Sequence, residues 1–310
     1  MITLLLIILL ALVLDRLIPD RAGFQLWQWY GDWAESIEQR FNGGLRAQGV
    51  YAVLLAIAPI AVAVLLASFV LGQIAGVLAT LFAVAVLYLC LDLQRLNVTA
   101  GRIAAALDND DVADASARLA ELTGKPTVET TTAGVAQATV EAVLKQANTL
   151  IAAPVFWFLA LGPVGAMVQR LAASLDRQWG HKTPRFAEFG WAAARLDDLI
   201  NWVPARLTAL SYAVMGSFED ALYCWRRRAH MWSDLSSGPL LGSGLGALHL
   251  DTCEPTGEQD VYGNTALNPE TLPSANDVRR ALALVWRVLL FWLVIGVLMS
   301  LAHIAGFITR

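Results

Sequence analysis

The chain is poor in charge, in cysteine and in histidine, and each shortage excludes something. Of its 310 residues only 15% are charged while 57% are hydrophobic, and the mean hydropathy is +0.54. Soluble domains carry roughly 25% charged residues, so this composition points to an integral membrane protein. The formal net charge of −4 leaves no basic stripe to meet phosphates, and no nucleic-acid partner is expected. Three cysteines, Cys90, Cys224 and Cys253, lie far apart, form no C-x-x-C and are odd in number, so no disulfide framework is expected. The four histidines, His181, His230, His249 and His303, show no metal-ligand spacing, and a zinc site is not expected.

What the chain has instead is long apolar runs. Residues 2–14 are almost wholly apolar and end at Asp15 and Arg16. They read as an uncleaved membrane helix reaching about Ile18, because no positive segment precedes them and no A-x-A site follows. Residues 19–49 hold Trp27, Trp29, Tyr30 and Trp33 and read as an interfacial amphipathic stretch. Residues 50–91 form one apolar run, the length of two spans. A tight turn at Gly72 and Gln73 would make it a hairpin of 50–71 and 74–91, with Pro59 kinking the first arm. Residues 147–169 are apolar but broken by Pro154, Gly162, Pro163 and Gly165, which predicts a broken or re-entrant element buried against protein. The piece 207–218 is too short to cross alone. A last span is expected over 282–307, opened by a capping pair at Ser274 and Asp277. Between these, D-N-D-D at 108–111 reads as a capped turn. T-V-E-T-T-T-A-G at 127–134 reads as a loop into the helix carrying Glu141. The glycines of 238–247 lack the G-K-[ST] ending of a phosphate loop, and tight helix packing or a turn fits them better. Arg226, Arg227 and Arg228 read as a membrane-surface anchor.

The most informative stretch is 186–206. Phe186, Phe189, Ala193, Leu196, Ile200 and Val203 are spaced as one apolar helix stripe. Pro204 should end that helix near Val203. Arg195, Asp197, Asp198 and Asn201 crowd its flank within one or two turns of each other, and Arg206 follows. They form either ordinary stabilising pairs or a ligand or metal site.

The expected fold is therefore all-α: a polytopic membrane protein with four full spans (2–18, 50–71, 74–91, 282–307), broken or packed elements at 147–169 and 207–218, and a large helical region at 92–281, all in one domain. Placing Lys and Arg on one side puts both termini in the periplasm and 92–281 in the cytoplasm of a bacterial inner-membrane protein.

F-G-W-A-A-A-R-L-D-D-L-I-N-W-V-P-A-R-L at 189–207 resembles the central motif of the CobD/CbiB membrane family. Supporting matches are V-L-D-R-L-I-P-D at 13–20, V-E-A-V-L at 140–144, A-P-V-F-W at 153–157, L-G-P-V-G-A at 161–166 and S-L-D at 174–176. The resemblance covers essentially the whole chain. Its cobalamin-pathway branch implies an ATP-dependent enzyme joining an aminopropanol unit to cobyric acid, with Mg²⁺ and phosphates held by carboxylates and a cation clamp. Arg195, Asp197, Asp198, Asn201, Arg206 and Asp176 match shared positions. Glu141 joins them as a ligand candidate, and Asp197 and Asp198 are the candidates for Mg²⁺. No residue is assigned a catalytic role. The synthase's E-N-T-x-D-G is replaced by the run from Lys145 to Leu150, its Y-K by Gln169 and Arg170, and the N-T before L-D by Ala173 and Ser174; its early H-P motif is absent. These departures favour the family's AmpE-type branch, a regulatory role in β-lactamase induction or a cell-wall-linked antibiotic response. A diverged synthase is the alternative, and it alone would call for Mg²⁺ and ATP. Membrane lipids and a small anionic metabolite or cell-wall-related ligand are the expected partners; a homo-oligomer is compatible with the sequence.

Overall fold

Without water, each backbone N–H and C=O in an apolar run must find a partner within the chain, and a helix supplies those partners locally. The computed structural model describes residues 2–18, 21–124, 131–180, 183–228, 235–250 and 272–305, and all regular structure among them is helical. In chain order the elements are α1 (Ile2–Leu17), α2 (Arg21–Phe41), α3 (Arg46–Ile74), α4 (Gly76–Cys90), α5 (Leu93–Asp108), α6 (Val112–Thr123) and α7 (Thr132–Ala147). A π-helical turn (Asn148–Ala152) then leads into α8 (Ala153–Trp179), followed by α9 (Trp191–Met215), α10 (Phe218–Arg228), α11 (Ser237–Ala247) and α12 (Ala275–Ile304).

Among the described residues four helical runs are long and apolar enough to cross a membrane: Arg46–Ile74, Gly76–Asp108, Thr132–Trp179 and Ala275–Ile304. On α3 the side chains of Leu54, Val62, Leu66 and Phe69 are exposed, as lipid-facing residues are. The protein is thus a polytopic helical membrane protein. The membership of the four differs from the expectation at one place. α1 has 16 residues, about 24 Å at 1.5 Å per residue, against an apolar core of about 30 Å. The segment expected to re-enter, 147–169, lies inside a run of 48 residues.

Three local expectations shift. The hairpin turn falls at Ala75, not at Gly72 and Gln73. Ala75 alone is extended (φ −159°, ψ 131°), and its N–H still donates to Leu71 O at 3.0 Å, so the break strands little backbone. The motif helix starts at Trp191, with Phe186 and Phe189 in the turns before it. It also runs through Pro204 to Met215 and absorbs the piece once set apart at 207–218. The expected break in 147–169 is found at Gly162, whose φ of +67° and ψ of −155° suit glycine alone.

The chain divides into two compact units. The first comprises Met1–Leu93, Thr149–Pro204 and Gly296–Arg310. Within it α4 packs on α1, α3 and α8, and α2 lies on α3 and α8. Leu87, Phe158, Leu171, Leu175, Trp179 and Phe189 are among its fully buried large side chains. The Trp179 and Phe189 rings meet edge-on at 5.2 Å. The second unit comprises Gln94–Asn148 and Ala205–Ile295. In it α11 is buried along its whole length. Its Gly242 and Gly246 lie against the backbone at Trp225 and Asp220, and its Gly244 against Leu144, so the glycine-rich stretch is a packing helix. The caps follow the sequence. Asp111 Oδ1 accepts from Asp114 N, Thr131 Oγ1 from Gly134 N, and Asp277 Oδ2 from both Ser274 N and Ser274 Oγ. Cys90 is free and Cys224 is disulfide-bonded, which corrects the expectation drawn from the odd count. Pro19, Asp20, the start of the 127–134 loop and the residues around Cys253 lie outside the described residues.

The first unit closes at Gly190, where an added Cβ would sit 1.8 Å from Trp179 O. Gly190→Ala should destabilise the protein by about 1–3 kcal/mol, as overpacking does, and lower its melting temperature in detergent. Gly72→Ala, with nothing within 4 Å of the new Cβ, should not.

Candidate functional site

The start of α9 is fixed by its neighbours in the first unit. Arg185 Nε donates to Glu38 Oε1 at 3.0 Å and Nη2 to Oε2, while Asn42 Nδ2 donates to Arg185 O at 3.2 Å. Glu38 is buried, and its hydrogen bond to Arg185 holds its carboxyl below the usual carboxylate range. Arg46 pairs with Glu188 at 2.6 Å and lies over the Trp191 ring at 5.4 Å. These contacts aim α9 from outside; its own sequence then sets the polar flank.

Pro204 poses the main local problem. It has no N–H, so the carbonyl four residues back, Ile200 O, loses its helical partner. Trp157 Nε1, on α8, donates to Ile200 O at 3.0 Å. The next residue, Asn201, is 2% exposed. Its Nδ2 donates to Asp197 Oδ1 at 2.7 Å and to Asp197 O at 3.1 Å. Its Oδ1 accepts from Gln169 Nε2 at 3.5 Å, and Gln169 Nε2 also donates to Thr149 O at 3.3 Å. Thr149 lies in the π-helical turn, a feature that recurs at functional sites. Because Nε2 serves two oxygens, the Gln169 amide orientation is determined. Gln169 Oε1 is buried with no hydrogen-bond partner among the described residues. One turn away Arg195 pairs with Asp198 at 3.6 Å, with the guanidinium exposed and the carboxylate mostly buried.

The Gly162 break makes this arrangement reachable. In a straight helix, Trp157 and Gln169 would be about 18 Å apart along the axis. Here both meet adjacent residues of α9.

The structure thus gathers Arg195, Asp197, Asp198 and Asn201 as the sequence suggested. Asp176 is in the same unit, and its Oδ1 occupies the space beside Gly180. Arg206 and Glu141 belong to the second unit. Burial lowers the pKa of the Arg206 guanidinium from its ordinary value, and Glu141 Oε1 accepts from Gln137 Nε2 at 3.2 Å. Sequence reasoning missed three participants: Trp157, Gln169, and the Arg170–Asp92 pair. The last is held at 3.4 Å with both side chains nearly buried, and Arg170 lies over Trp27 at 5.2 Å. Gln169 and Arg170 were visible only as departures from a motif; Asp92 was visible only as the first charge after an apolar run.

The buried amides and paired carboxylates of this relay sit on broken helices of a polytopic helical membrane protein. The chain belongs to the CobD/Cbib protein family, whose model matches residues 8–285. It is similar to a cobalamin biosynthesis protein CobD of Stutzerimonas stutzeri, with 36% identity over 92% of this chain and 94% of the relative. The protein of the same name in Chromobacterium violaceum is 34% identical over 91% and 92%. That of Rhizobium meliloti is 28% identical over 90% and 88%. No solved structure matches the chain. These relatives overturn the AmpE-type regulatory reading: the curated names point to cobalamin biosynthesis, and none carries a β-lactamase role. Replacement of the synthase's residues at 145–150 and 169–170 was therefore the wrong guide to the branch, because it weighed departures above the retained α9 motif.

Trp157→Phe should strand Ile200 O and destabilise the protein by about 1–3 kcal/mol, the cost of an unpaired buried acceptor. Pro204→Ala restores an N–H, so adding it to Trp157→Phe should recover most of the loss. A thermal-denaturation double-mutant cycle measures this coupling; simple additivity would show that the tryptophan does not serve that carbonyl.

Proposed function

We propose that this protein acts in cobalamin biosynthesis as a membrane-bound, ATP-dependent amide-forming synthase that attaches an aminopropanol unit to a corrinoid acid. The observation that carries this reading is the Gln169–Asn201–Asp197 relay, with one unpaired buried amide oxygen, on the motif helix of a CobD/Cbib chain. That oxygen can accept an N–H from a bound molecule, and Asn201 orients the Asp197 carboxylate. The exposed guanidinium of Arg195 is the cation within reach of a phosphate.

Mg²⁺ with ATP would supply phosphoryl activation. Mg²⁺ is usually held by one or two carboxylates together with substrate phosphates, and Asp197 and Asp198, one after the other on α9, would serve in that way. Among the described residues no group of three or more His, Cys, Asp or Glu gathers to hold a metal. Two adjacent carboxylates, Asp197 held by Asn201 and Asp198 paired with Arg195, suit a metal that arrives with its nucleotide.

The basic triplet Arg226 to Arg228 supports a cytoplasmic position for the end of α10. The disulfide at Cys224 weighs against that orientation, since disulfides persist in oxidising compartments. Membrane-impermeant labelling of an engineered cysteine at exposed Arg226 should fail in intact cells if the charge argument holds and succeed if the chain is inverted.

The function itself is tested by complementation. The chain should restore cobalamin-dependent growth to a strain lacking the family's synthase. Asp198→Ala and Asn201→Ala should abolish that growth while still inserting in the membrane. Failure of the unaltered chain overturns the pathway assignment, and full activity in both variants reduces the cluster to a structural role.

A further inference from the structure

A second candidate site lies in the first unit, between α2, α3, α4 and α8, and it owes nothing to the cobalamin reading. A cavity of about 130 Å³, partly open to the outside, is lined by Leu26, Trp27 and Tyr30 of α2, Ile60 of α3, Leu89 of α4 and Met167 of α8. A cavity of about 150 Å³ with apolar walls takes a benzene-sized group and stays dry, so this one can take a short length of hydrocarbon. α3, α4 and α8 belong to runs long and apolar enough to cross the membrane. α2 is the amphipathic helix on top, and its Leu26 and Trp29 stand exposed at the rim. The Trp27 indole is fixed by its N–H to Leu89 O at 3.0 Å.

One feature does not suit an empty apolar pocket. Tyr30 is 2% exposed, yet its hydroxyl has no hydrogen-bond partner among the described residues. An unpaired buried hydroxyl is costly. A water could not settle there, because a buried water needs two to four polar partners and the other lining side chains are apolar, with the Trp27 N–H already engaged. An oxygen carried by an apolar molecule would supply the missing partner.

We propose that this cavity binds one glycerophospholipid, with part of an acyl chain between α2, α3 and α8 and an ester carbonyl accepting the Tyr30 hydroxyl. The bilayer supplies such molecules to a cavity walled by spanning helices, and the ester is the one polar group set at the head of each chain. The exposed Trp29, stacked on Trp33 at 6.0 Å, sits where aromatic residues favour the interface.

Native mass spectrometry tests this on the full chain, purified in detergent and incubated with dioleoyl phosphatidylethanolamine. The unaltered protein should keep one lipid under conditions that strip the rest. Met167→Trp and Ile60→Trp, which fill the cavity from opposite walls, should lose it. Tyr30→Phe should retain on the order of two- to tenfold less, the worth of one hydrogen bond. Because it removes a single oxygen that is unpaired without lipid, it should leave the melting temperature of the delipidated protein unchanged or raised. If the tryptophan variants fail to fold, Tyr30→Phe still decides. No lipid on the unaltered chain, detergent alone in the site, or equal retention by unaltered chain and Tyr30→Phe would overturn the assignment.

Discussion

A single hydrogen bond lets the motif helix exist at all. Pro204 takes one N–H out of α9, and Trp157 Nε1 donates to the carbonyl left behind. With that carbonyl capped, α9 continues through the proline to Met215. Asn201 then sits in the body of a helix and not in a fraying last turn. Its grip on Asp197 and its meeting with Gln169 both require that position. Helix ends leave carbonyls open and loosen side chains, and a relay built there would be poorly aimed.

The same bond explains why α8 is broken. Trp157 and Gln169 each serve one of two adjacent residues on α9, and only a bend between them allows it. Gly162 provides the bend at positive φ. The π-helical turn before α8 brings Thr149 O to the Gln169 amide. Irregular backbone at membrane depth is tolerated where it is buried in protein or lines a cavity. Here the irregularities converge on the Gln169–Asn201–Asp197 relay.

Much of this was legible in the residues. Runs of Leu, Val and Ala without alternation gave the helices, and the caps at Asp111 and Ser274 were correctly read from short-range patterns, whereas the Thr131 cap was not. Arg195, Asp197, Asp198 and Asn201 were found because helical spacing puts them on one flank. What spacing could not show was any partner far along the chain. Reading Pro204 as a terminator was sound for an isolated helix and failed because Trp157, forty-seven positions earlier, compensates. Gln169 looked like a loss relative to the family motif, yet it is the residue that meets Asn201. Weighing such losses pulled the functional reading towards a regulatory branch that the relatives do not support. Tyr30 and Trp27 read only as interfacial aromatics, because a cavity between helices leaves no local pattern.

The central claim is that the Gln169–Asn201–Asp197 relay holds a corrinoid-pathway substrate within the membrane body. Titration calorimetry of the purified protein with cobyric acid measures this directly. Saturable binding that disappears in Gln169→Leu, a change that keeps the side chain's size and removes its amide, is the expected result. No binding to the unaltered protein, or equal binding to both, would contradict it.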